Sequence, residues 1–144
     1  MTDVYDENQL EKGLHYQVKS FSSVYLENKD GKYVMHQLPN EAQLAPINQI
    51  IAKDFDSDGI LDVVIGGNLY ASEVETPRAD AGRGLFLKGN GKGNFTPVMA
   101  EDSGLFTAGD VKDMTLIMVQ EKEYILSAKN DDFLQFIRYN KPSL

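Results

Sequence analysis

The sequence predicts an all-β chain built from repeated four-stranded antiparallel units, and three observations carry that reading. Apolar residues fall in short runs rich in Val, Ile, Leu, Phe and Tyr, bounded by Gly, Asn, Asp and Pro. Segments about 61 residues apart resemble one another. A loop dense in aspartate joins two of the most apolar runs.

The elements follow in order. Residues 1–19 stand apart as an N-terminal helical or linker segment. Asp6 with Gln9 three residues on resembles a capping box, and Leu10, Leu14 and Val18 lie at helical spacing, which predicts a short amphipathic helix over a sheet edge or a former blade junction, despite Gly13. Residues 20–27 and 32–38 read as an outer hairpin (20–38). A full unit (47–99) takes strands near 47–53, 61–67, 84–89 and 94–99. Its first two strands are apolar on both faces and are expected to lie deep, with the last two outside. Strands at 110–119, 122–128 and 132–139 make a three-stranded last unit (108–139), in which Met114, Leu116 and Met118 are core. His15 and His36 are isolated and read as ordinary surface or half-buried residues.

The repeat rests on two unlinked segments. Leu26 answers Leu87 at an offset of 61, while Gly31 and Tyr33 answer Gly93 and Phe95 at 62. Separately, Ile50 answers Val111, and 63–68 (VVIGGN) answers 125–130 (ILSAKN). Four antiparallel strands per repeat, stacked by repetition, make a β-propeller blade. Two, four and three strands are too few for a ring, which takes about four blades or more. The expectation is therefore a partial β-propeller with one full blade and flanking partial blades, the C-terminal piece of a larger ring. Its partner is the remainder of that propeller, or another copy associating through exposed blade edges.

Between the first two strands of the full unit, residues 54–62 read DFDSDGILD. Asp54, Asp56, Asp58 and Asp62 stand at loop positions 1, 3, 5 and 9, with Gly59 at position 6. Each close pair of carboxylates costs about 1 kcal/mol even in water, so the cluster calls for a cation. A hard ion with six to eight oxygen ligands suits acids at every second residue, with the Ile60 carbonyl pointing inward and Asp62 closing the shell. Calcium fits better than magnesium, which wants fewer protein ligands. An EF-hand is excluded because position 12 is Ile65 and both flanks read as strands. The competing reading is a surface turn in which Asp and Gly merely favour the bend.

Composition bounds the function. At 144 residues, 42% of them hydrophobic, the chain is one ordinary domain's length with enough apolar residues for a core. A net charge of −8 argues against nucleic acid and anionic membrane as partners. No apolar run is long enough to span a membrane, and the acidic N-terminus does not resemble a signal peptide. Without cysteine there is no disulfide, thiolate nucleophile or Cys-ligated zinc. Calcium loops of extracellular modules work at about 10⁻⁴ to 10⁻³ M, which tilts the expected location to extracellular, periplasmic or outer-surface.

The loop, the apolar strand after it and Gly66, Gly67 and Asn68 resemble the FG-GAP or VCBS repeat of integrin-α-like propellers. With the runs 38–46 (LPNEAQLAP), 67–70 (GNLY), 78–81 (RADA) and 89–95 (GNGKGNF), the chain is similar over about residues 20–139 to bacterial relatives of cartilage acidic protein and the ASPIC/UnbV group. That resemblance implies calcium in the first inter-strand loop of a blade, recognition of protein or carbohydrate at a cell surface or in secretion, and no catalysis. The last blade departs from the pattern: residues 115–123 (TLIMVQEKE) stand where a second metal loop belongs.

In an antiparallel blade the metal loop and the connection from second to third strand lie at opposite ends. Recognition is therefore placed on the 70–83 segment, with Tyr70, Glu73, Glu75, Arg78, Asp80 and Arg83 as candidate ligand residues. The alternative is an internally bonded loop in which Arg78 and Asp80 pair. Two further functions compete: a structural fragment with no independent activity, and a metal-assisted carbohydrate-active enzyme. Against the enzyme, the loop acids are spent as ligands and no nucleophile–base set is visible.

Overall fold

Nine strands form three antiparallel sheets in a computed structural model that describes Val4 and residues 6–140. Strands β1 (Val24–Lys29) and β2 (Lys32–Gln37) make a two-stranded sheet, closed by a turn in which Asp30 and Gly31 both have positive φ. Strands β3 (Ile47–Lys53), β4 (Asp62–Gly67), β5 (Leu85–Gly89) and β6 (Phe95–Val98) lie side by side in chain order. A three-stranded sheet takes β7 (Val111–Val119), β8 (Lys122–Lys129) and β9 (Gln135–Ile137). No helix among the described residues is long and apolar enough to cross a membrane.

Each face of the four-stranded sheet carries its own core, as period-2 alternation requires. Val64 and Phe86 stand opposite each other on one face and pack with Phe55, Leu105, Val111, Met114, Ile125 and Ile137, so this core fills the space against the three-stranded sheet. Ile65 and Leu87 point the other way, to Ala42, Leu38 and Phe95. Tyr25 of β1 meets the Phe95 ring edge-on at 5.8 Å, which brings the two-stranded sheet to that side. Gly67 is required where β4 ends, because a Cβ there would lie 1.7 Å from the Pro46 carbonyl oxygen.

Every expected strand is present, and the differences have local causes. The first strand starts at Val24 rather than 20: Ser22 N–H turns to the Ser20 hydroxyl, and the Gln43 side chain takes both backbone groups of Ser23. The last is only Gln135–Ile137, because Asp131 has φ 54° and the Asp132 carboxylate accepts the Phe133 N–H in a turn. Depth is also redistributed. β4 and β5, the central pair, are the buried strands, whereas β3 is an edge strand that leaves Ile50 61% exposed. Met118 is likewise 63% exposed, so only Met114 and Leu116 of the expected stripe join the core.

The N-terminal expectation needs correction. The capping box between Asp6 and Gln9 forms, but helix α1 is Glu7–Glu11 alone. Gly13 ends the regular pattern, Leu14 and Val18 are exposed, and no amphipathic face covers a sheet edge. Five residues are too few to offset helix nucleation without packing.

One polar cluster ties the larger sheets together. Glu123 of β8 accepts from the Lys53 ammonium of β3 and from the Tyr139 hydroxyl, while the Tyr139 ring stands perpendicular to Phe55 at 5.0 Å. The lysine beside Glu123, then the tyrosine, hold its carboxyl below the usual range, and burial followed by this bond pushes Tyr139 up. A carboxyl lowered by folding contributes stability above its unfolded pKa, lost as pH falls through the folded value.

Two outcomes are expected. Phe86→Ala should lower the unfolding free energy by about 3–5 kcal/mol, read by urea denaturation. Glu123→Gln should cost about 1 kcal/mol at neutral pH and flatten the acid limb of thermal stability; a variant with an unchanged acid limb would remove the cluster from the account.

Candidate functional site

Loop 54–61 connects β3 to β4, two directly paired antiparallel strands, so its ends are held close and its acids are folded inward. Asp54 Oδ1 accepts the backbone N–H of Ser57 (2.7 Å) and Asp58 (3.1 Å), and Oδ2 that of Gly59 (2.9 Å). Asp56 Oδ1 takes Asp58 N–H at 3.1 Å, and Asp58 Oδ1 takes Ile60 N–H at 2.8 Å. The tight wrap needs positive φ at Ser57 (71°) and Gly59 (86°), of which only glycine adopts it freely. Oxygens of Asp54, Asp56 and Asp58 lie within 4.8 Å of one another.

Asp62 plays a different part. It is fully buried and lies outside that convergent trio, with Oδ2 accepting Phe55 N–H (3.2 Å) and Oδ1 accepting Gly89 N–H (3.0 Å). Those two bonds seat Phe55 in the core and join the loop to β5. Ile60 presents its N–H to Asp58, which fixes the backbone where a carbonyl ligand was expected.

The residue that sequence reasoning missed is Lys88. Val63 pairs with Leu87, so Lys88 comes opposite Asp62 at the loop end of β5. Its ammonium bonds Asp56 Oδ2 and lies 3.7 Å from Asp58 Oδ2. The lysine holds the Asp56 carboxyl below its ordinary value, and the carboxylate in turn holds the ammonium above its own. A lone charge in LFLKG was the available signal, but only strand register reveals its target.

The donor set suits a hard cation. Three carboxylates converge and every donor atom they offer is oxygen, the ligand type a hard cation takes. Lys88 already supplies one positive charge, so entry of a metal requires its ammonium to leave Asp56.

At the opposite end, connection 68–84 is closed by reciprocal backbone bonds between Leu69 and Ala79 (2.9 and 3.0 Å). Asn68 anchors it: its buried amide donates to the Gly82 and Gly109 carbonyls (2.9 and 2.8 Å) and accepts Gly82 N–H. Arg78 stacks over Tyr70, guanidinium carbon 5.0 Å from the ring centre, and among the described residues it forms no ion pair with Asp80. Arg83 stacks on Phe106 at 5.8 Å, and Glu73, Glu75 and Asp80 are exposed. Tyr70 and Arg78 are thus brought together, while Arg83 faces a separate groove lined with Phe106, Leu85 and Met99.

Asp62→Asn should destabilise the fold by about 1–3 kcal/mol, because the amide turns one donor toward a backbone N–H that needs an acceptor. Chemical denaturation checks this, and a neutral result would remove Asp62 as the brace of the loop. No family model matches the chain, and no curated protein or solved structure matches it either.

Proposed function

We propose that this chain is a non-catalytic calcium-binding module of the FG-GAP or VCBS type, part of a β-propeller, that recognises a protein or carbohydrate ligand at the cell surface or in secretion. The observation that carries the reading is the convergence of Asp54, Asp56 and Asp58 on a loop between two antiparallel strands. Two, four and three strands in separate sheets, with a core on each face of the middle one, support the propeller: consecutive blades pack face to face in that way.

Those three carboxylates would hold the calcium, with the Ile60 carbonyl and Asp62 as the further ligands the spacing implies. Bound there, the ion neutralises clustered charge and stiffens the bend. Lys88 balances part of that charge from the protein side, and Asp62 keeps the loop registered on β5. In this reading the loop acids serve as ligands rather than as general acids or bases, and His36 is taken up by Glu27 at 2.9 Å.

Lys88 also favours a second reading, a metal-free turn whose charge its ammonium balances. Thermal unfolding separates the two. Millimolar calcium should raise the melting temperature, by a free energy of about 2.7 kcal/mol at calcium about a hundredfold above Kd. Asp56→Ala should abolish the rise, and Lys88→Gln should enlarge it by removing the competing cation. Equal responses from wild type and Asp56→Ala would sink the site; no response together with a destabilised Lys88→Gln would favour the metal-free turn.

A further inference from the structure

Strand β1 has a neighbour on one side only, β2, whereas β5, its counterpart 61 residues on, has β6 on one side and β4 on the other. Val24, Tyr25 and Leu26 correspond to Leu85, Phe86 and Leu87, the residues that β4 pairs with. We propose that the free edge of β1 binds an apolar β-hairpin from another polypeptide, whose second strand pairs antiparallel with Val24, Tyr25 and Leu26 as β4 pairs with β5. The inference rests on the blade reading above and names the partner for it.

Backbone direction carries the first part. Leu38 N–H donates to the Ser23 carbonyl, so Ser23 faces β2, and alternation turns the N–H and C=O of Val24 and Leu26 to the opposite side, where no strand lies among the described residues. β5 has the same phase. Asn90 N–H donates to the Asn94 carbonyl on the β6 side, which turns Leu85, Leu87 and Gly89 to β4, and Gly89 N–H indeed meets Asp62 there. The repeat thus preserves which backbone groups point at a neighbour, and β1 presents them to none. An unpaired edge of this kind is a template for an added strand, with main-chain bonds giving the affinity.

Packing points the same way. Phe86 and Leu87 are 0% and 1% exposed, while Tyr25 and Leu26 are 38% and 51% exposed. On the far face of the four-stranded sheet, β7 packs against β3 and β4. On the near face, where Tyr25 meets Phe95, the corresponding place is an open groove lined by Ile47, Ile65 and Leu85, which belong to that face's core. A hairpin on the β1 edge sets its inner strand over this groove, so the occupant is apolar on the side it turns to the sheet. A second copy of the chain does not offer one, since its own β3 and β4 are already joined to β5.

Amide hydrogen exchange of the full chain, without calcium, tests this with a synthetic 47–67 peptide (INQIIAKDFDSDGILDVVIGG) as the probe, because that is the hairpin β5 already accepts. Exchange at Val24 and Leu26 should be fast in the free chain and slow by about tenfold in millimolar peptide, while Leu87 stays protected throughout. Leu26→Pro removes only an outward N–H, which an edge strand tolerates, so it should abolish the added protection at Val24 and leave the melting temperature close to that of the wild type. Protection already present in the free chain, no slowing with the peptide, or equal slowing with a scrambled peptide would overturn the proposal. So would protection that grows with protein concentration alone and accompanies a dimer mass by light scattering, which places a second copy on the edge. Calcium-dependent melting keeps the two readings apart: a calcium response without peptide protection removes the edge site and leaves the metal loop, and protection without a calcium response does the reverse.

Discussion

Asp62 accepts the N–H of Phe55 with one oxygen and the N–H of Gly89 with the other, entirely out of solvent. Through the first bond the aromatic ring of a polar loop is drawn into the core, where it meets Phe86 edge-on at 5.3 Å. Through the second, the loop is locked to β5, and Lys88 is delivered to Asp56. A charged acceptor with two backbone donors is among the stronger hydrogen-bonding arrangements available to a protein. The geometry of the aspartate cluster, its charge balance and the packing beneath it all follow from this one side chain.

A comparable economy holds the other end. Asn68 sits at φ 98° immediately after β4, and its amide spans from Gly82 to Gly109. Asn48 reinforces it by donating to the Asn68 and Val111 carbonyls, both at 2.8 Å. Buried polar groups of this kind stabilise a unique arrangement when every member is satisfied. They join the 68–84 connection to the next sheet.

The two ends therefore divide the work between charge and shape. At one, acids are collected on a short bend and offset by Lys88; at the other, the buried Asp110 is offset by Lys112 at 2.7 Å. Between them lies β4–β5, apolar on both faces, which keeps the ends apart and in register.

Much of this was legible in the sequence because it is local. Alternating apolar runs mark strands, DFDSDGILD places acids at ligand spacing, and GGN marks the close approach at the end of β4. What tertiary structure alone decided is non-local. Lys88 meets Asp56 because strand register brings residues 32 apart into contact, and β3 is exposed because it lies at a sheet edge. Asp110, unremarkable in sequence, is buried by the meeting of two connections. Spacing along a chain sets which side chains share a face or a bend, but which charges finally meet depends on how sheets stack, and that is settled by packing between residues far apart in the chain.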